Sequence, residues 1–209
     1  LDSARDLWRL RARQGIFWCL CGDVFFYTLS TLVLLEINAY GVAQLGLGPT
    51  MASLLPGGLM LGICAGAGLA ARRARGDWRR SVPRACAGIG LLLAVAGGVP
   101  AAPEAFRFGL LFACYAAVGI CGSLYIVPVS SQIQLLPAAE EKGRILGTSN
   151  FFSFSGMALA GPVYALLSFL PPSVAHMLLG GLTLIWAVFF ARRLKAAFPD
   201  GDDGGSSGG

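Results

Sequence analysis

Asp23 is the residue whose type and position most directly imply chemistry. It stands in an apolar run from about Ile16 to Ile37. At about 1.5 Å per helical residue it lies roughly 10 Å inside, counting from Ile16. A carboxyl group in hydrocarbon is costly unless paired or hydrated, so a functional role is the first reading. Tyr27 and then Ser30 or Thr31 follow at i+4 and i+7/i+8 and share its face. Such a face could couple a proton or a cation to transport. An acid paired with an arginine near the membrane surface is the alternative, and the sequence leaves both open. Glu36, near the outer end of the run, is expected to meet water.

A second set of polar residues flanks a short charged turn, Glu140, Glu141, Lys142 and Arg144. Before it, Pro128 removes one backbone hydrogen bond and frees the Leu124 carbonyl, which predicts a bend eased by Gly119 and Gly122. Beyond the bend, Ser130, Ser131, Gln132 and Gln134 could contact a polar head group or form a solvated helix end. After the turn come Ser149, Asn150 and Ser153. Ser149, Ser153, Gly156 and Ala160 make a small, partly polar stripe suited to packing or to substrate contact. Gly58, Gly62 and Gly66 form a GxxxGxxxG row that lets another backbone approach closely. His176, beside Pro171 and Pro172, is expected at the outer interface. The single histidine and the absence of GxSxG, HxxxxD and Walker patterns argue against an enzyme. The six cysteines lie in or beside apolar runs without a CxxC pair, so no metal site, cofactor or disulfide framework is expected.

These residues need elements to position them. The chain is 56% hydrophobic and 13% charged, against about 25% charge in an ordinary soluble domain. With several apolar runs near membrane-spanning length, this predicts an all-α membrane protein. Six helices are expected: about Ile16–Ile37, Met51–Ala71, Ala85–Ala102, Phe106–Leu135, Ile145–Leu170 and Val174–Ala191. The organisation is a basic flank over 1–15, a transmembrane unit over 16–191, and a basic tail with a Gly/Ser-rich linker over 192–209. Of the 16 lysines and arginines, only Arg107 falls on the side opposite the rest. The positive-inside rule then makes both termini cytoplasmic, and the bases mark topology, not nucleic-acid binding. Six helices divide near Pro103 into two triplets of opposite sense, the inverted repeat from which one half of a major facilitator transporter is built. The distribution of polar residues predicts that the first, fourth and fifth helices face a wet cavity and the third and sixth face lipid. The chain opens at Leu1 and closes on GDDGGSSGG, so it is expected to be a fragment of something longer.

The run YIVPVSSQIQ at Tyr125–Gln134, EEKGR at Glu140–Arg144 and NF at Asn150–Phe151 resembles the lysophospholipid transporter branch of the major facilitator superfamily. The stretch CGDVFFYTLSTLVLLEINAY at Cys21–Tyr40 is similar to that family's seventh helix. The resemblance covers nearly all of Ile16–Ala191 and implies the C-terminal six helices of a twelve-helix protein. It implies movement of lysophospholipid across a bacterial inner membrane, an N-terminal half as partner, and in some members a fused acyltransferase and acyl-adenylating domain. This sequence departs from the family at Asp23, where an uncharged residue is expected, and at Ser130 and Ser131. In the loop after the second helix, Ala71 stands where the superfamily carries an Asp, and Gly68, Leu69, Arg72, Gly76 and Arg79 remain.

The leading expectation is therefore half of an alternating-access transporter for lysophospholipid or a similar amphiphile. A solute or drug exporter of the same superfamily and the membrane anchor of a fused acyltransferase are the alternatives. Membrane lipids are expected partners throughout.

Overall fold

The computed structural model describes residues 13–72 and 77–198. The segment from Leu1 with Arg5, Arg9 and Arg11, the loop residue Gly76 and the GDDGGSSGG tail lie outside the described residues. The described chain is all-α, with no strand. Its six long helices are α1 (Gln14–Ala39), α2 (Pro49–Arg72), α3 (Trp78–Gly97), α4 (Glu104–Leu135), α5 (Lys142–Leu167) and α6 (Pro172–Ala197). All six are long and apolar enough to cross a membrane, which makes this a six-helix membrane protein.

Local chemistry explains where the helix ends differ from expectation. Asp77 caps α3 by accepting the Arg79 backbone N–H at 3.1 Å, so α3 begins at Trp78 and not near Ala85. Arg79, Arg80 and Arg84 therefore ride on its first two turns. At the other terminus α6 runs on to Ala197, so Arg192, Arg193 and Lys195 extend a helix instead of opening a tail. α4 stays helical through Pro128 to Leu135. α1 widens into a π-helical turn at Tyr40–Gln44. The Gln44 amide then meets the first turn of α6: its oxygen accepts the Ser173 N–H and its nitrogen donates to the Ser173 hydroxyl, both at 2.7 Å.

The principal packing pairs are α2 with α4, α3 with α6, α3 with α4 and α1 with α5, followed by α1 with α4 and α6. Smaller contacts join α1 to α2 and α4 to α5. Exchanging α1 for α4, α2 for α5 and α3 for α6 maps this set of pairs onto itself. With six consecutive spans the two triplets run in opposite senses, and this pairing is the one an inverted repeat would give.

The glycine row behaves as its spacing predicts. Gly58, Gly62 and Gly66 face the carbonyls of Phe112, Ala116 and Ile120 on α4, and a side chain at Gly62 would overlap the Ala116 carbonyl. Ser123 spans the same seam, donating to the Ile63 carbonyl at 2.8 Å.

Described basic residues gather at one end of the bundle. Arg13 and Arg144 both pair with Glu141, Arg79 donates to the Phe198 carbonyl at 3.1 Å, and Arg193 lies over Trp18 and Phe189. Arg107 sits by the opposite loop, donating to the Ala102 carbonyl at 2.9 Å. One expectation needs correction. α3, read as lipid-facing because it lacks polar residues, is buried over more of its span than any other helix, whereas α5 is buried least. Its small residues let α6 and α4 close on it, so the absence of polar groups marks a core helix as readily as a lipid-facing one.

Candidate functional site

The Asp23 side chain lies where α1, α4 and α5 meet, and it is 5% exposed. Three hydroxyls converge on its carboxylate. Ser130 of α4 donates to one oxygen at 3.3 Å. Ser149 and Ser153 of α5 donate to the other at 3.1 and 2.7 Å. Ser149 and Ser153 are one helical turn apart on the face that packs on α1. Gly156 continues that face, and a Cβ there would press on Thr28 and Val24. Ala160 completes the stripe and is fully buried. The stripe is therefore a packing surface whose two serines also contact Asp23.

These serines differ from most of the other helical hydroxyls, Ser123 being another that crosses to a neighbouring helix. Thr28, Thr31, Ser131, Thr148, Ser155 and Thr183 each donate to the carbonyl four residues earlier in their own helix. That bond is the default for Ser and Thr in apolar helices. Ser130, Ser149 and Ser153 instead reach across to another helix. Hydrogen bonds to a charged group contribute about 1.5–3 kcal/mol each, which offsets much of the several kcal/mol that burying an ion costs. Being neutral, the hydroxyls would leave an ionised Asp23 uncompensated. The expected alternative, an arginine partner for Asp23, is not found: no lysine or arginine among the described residues stands within salt-bridge distance of it.

The other candidates separate from this cluster. Tyr27 is 36% exposed, and Thr31 donates to the Tyr27 carbonyl at 2.8 Å. They continue the Asp23 face but do not reach its carboxylate. Ser131 points away from Ser130, as a helical turn of about 100° per residue requires. It lines a cleft of about 490 Å³ between α2, α3 and α4. That cleft has Leu124, Val127 and Cys121 on its wall, with Ser81, Arg84 and Gln132 among its polar residues. Pro128 lines it as well. Gln134 and Asn150 are exposed.

A second polar cluster lies toward the opposite end and overturns two expectations. Glu36, expected to meet water, is 2% exposed, and His176, expected at an interface, is fully buried. The His176 Nδ1 atom lies 2.8 Å from the Pro172 carbonyl, which can only accept, so Nδ1 carries the proton. Nε2 then accepts from the Tyr115 hydroxyl at 2.9 Å. The Tyr40 ring packs on the imidazole, and its hydroxyl donates to the Ala96 carbonyl at 2.6 Å. Sequence reasoning also passed over Tyr125, whose buried hydroxyl donates to the Gly22 carbonyl at 3.0 Å beside Asp23. The available signal was Gly22 itself: a glycine before an intramembrane acid admits the tip of a large ring, and a Cβ there would meet Tyr125 and Phe190.

No protein-family model matches this chain, and no curated protein or solved structure matches it either.

Proposed function

We propose that this chain is one six-helix half of a secondary transporter of the major facilitator type, carrying lysophospholipid or a similar amphiphile by alternating access. The observation that carries the reading is the exchange relation among the helix pairs, in which α1·α5 mirrors α4·α2 and α3·α6 mirrors itself. Inverted repeats of this kind let one unit adopt two related packings and expose a site to either side in turn. The exposed Tyr27 and Leu34 leave α1 with an uncovered flank, which a second half would cover. An amphiphile is the substrate class favoured by the resemblance, and the cleft beside Ser131 supports it with an apolar wall and Arg84 among its polar groups. The basic end is cytoplasmic in this reading, in an inner membrane.

The test is reconstitution. Ile16–Ala191 alone in liposomes is expected to move no fluorescent lysophospholipid, and co-reconstitution with an N-terminal half from the same reading frame is expected to restore movement. Full transport by the purified monomeric chain would refute the half-transporter reading. Transport of polar solutes but not of lysophospholipid by the paired halves would keep the fold and replace the substrate.

A further inference from the structure

We propose that Asp23, Ser130, Ser149 and Ser153 form a binding site for a sodium ion at the junction of α1, α4 and α5. Three observations lead there. The carboxyl group is buried at 5% exposure with hydroxyls for partners and, among the described residues, no cationic side chain within salt-bridge distance. Both of its oxygens are engaged, one by Ser130 and the other by Ser149 and Ser153, so two carboxyl and three hydroxyl oxygens gather in one cluster with contacts of 2.7–3.3 Å. The three serines forgo the hydrogen bond within their own helix that neighbouring helical hydroxyls make. A negative group placed in an apolar interior and fixed by neutral donors calls for a positive partner.

The donor set says which partner. Two carboxylate and three hydroxyl oxygens, with no sulfur or imidazole nitrogen among them, suit a hard cation. One formal negative charge is balanced by a monovalent ion, whereas a divalent one would leave net positive charge in hydrocarbon. Each serine hydroxyl can rotate its hydrogen away and present a lone pair to the ion. The site is tight: Ser153 lies 2.7 Å from the carboxylate, and Gly156, one turn on, is in contact with α1. Close packing of this kind selects the smaller sodium over potassium.

Occupancy would fasten α5 to α1 and α4 through the ion. That a sodium gradient thereby drives substrate movement rests on the transporter reading; the binding itself does not.

The experiment therefore measures binding. The 209-residue chain is purified in detergent and its thermal midpoint followed at fixed pH and ionic strength as choline chloride is replaced by sodium chloride, by potassium chloride, or left in place. A ligand that binds only the folded state raises the midpoint with concentration. The wild type is expected to show a saturable, sodium-selective rise. Asp23→Asn is expected to melt cooperatively in choline and to show no rise. Ser153→Ala is expected to need about tenfold more sodium for the same shift. Absence of a sodium-specific rise in the wild type overturns the proposal whatever the variants do. So does an equal rise in Asp23→Asn, which places the ion elsewhere, or an equal rise in potassium. A rise on acidification in choline with none in sodium identifies the proton as the resident cation and also overturns it. None of these readouts depends on transport, so failure here and failure of the half-transporter reading are separable.

Discussion

Gly90 on α3 and Gly180 on α6 face each other reciprocally. A Cβ on Gly90 would stand 2.8 Å from the Gly180 carbonyl oxygen, and one on Gly180 would stand 2.6 Å from the Gly90 carbonyl oxygen. Of the packing pairs, α3·α6 and α1·α4 are the ones that the exchange of triplets maps onto themselves. A contact in which each residue plays both roles is what such a self-mapped pair requires. The two backbones meet there because neither carries a side chain.

This contact gives a stability prediction. Gly180→Val drives two methyl groups into the Gly90 backbone and is expected to cost about 1–3 kcal/mol or more. Gly181→Val, where the added group meets nothing within 4 Å, is expected to be near neutral by comparison. Thermal melting of the two variants in one detergent checks the difference. Equal midpoints would mean that α3 and α6 do not meet at Gly180.

Topology gives a second. With all six cysteines replaced, single cysteines at Gly143 and at Gly46 are expected to react from opposite sides of the membrane. The Gly143 position lies with the basic end, next to Lys142 and Arg144, and is expected to be cytoplasmic. An impermeant thiol reagent applied outside intact cells should therefore label position 46 and spare position 143. Labelling of both from one side would overturn the six-span topology.

A third concerns the buried histidine. Tyr115→Phe removes the hydroxyl that serves Nε2 of His176 and leaves that nitrogen without its 2.9 Å partner. An unsatisfied buried acceptor costs about 1–3 kcal/mol, so the midpoint should fall. The double variant Tyr115→Phe/His176→Phe leaves no orphan acceptor, and if the pair is coupled it should lose less than the sum of the single variants. Strict additivity would show that the two side chains do not interact.

Helix number, approximate spans and the segregation of basic residues were all legible in the sequence, because hydrocarbon imposes length and composition on each segment separately. The Gly58–Gly62–Gly66 row and the Ser149–Ser153–Gly156–Ala160 stripe were legible for a related reason. Helical periodicity places such residues on one face whatever that face meets. Asp23 declared itself by cost alone. Its partners did not. That Ser130 and Ser149 reach the same carboxylate depends on how α4 and α5 rotate and slide against α1, and no spacing within one helix encodes that. For the same reason Tyr27 and Thr31, on the face of Asp23 by periodicity, stay outside its cluster. Glu36 and His176 were misplaced because distance along a helix measures depth in the membrane, whereas burial depends on which neighbours pack there. The sequence alone determined which residues are costly to bury; the packing of α1, α4, α5 and α6 decided which groups would meet them, because lateral order in a bundle comes from contacts between residues far apart in the chain.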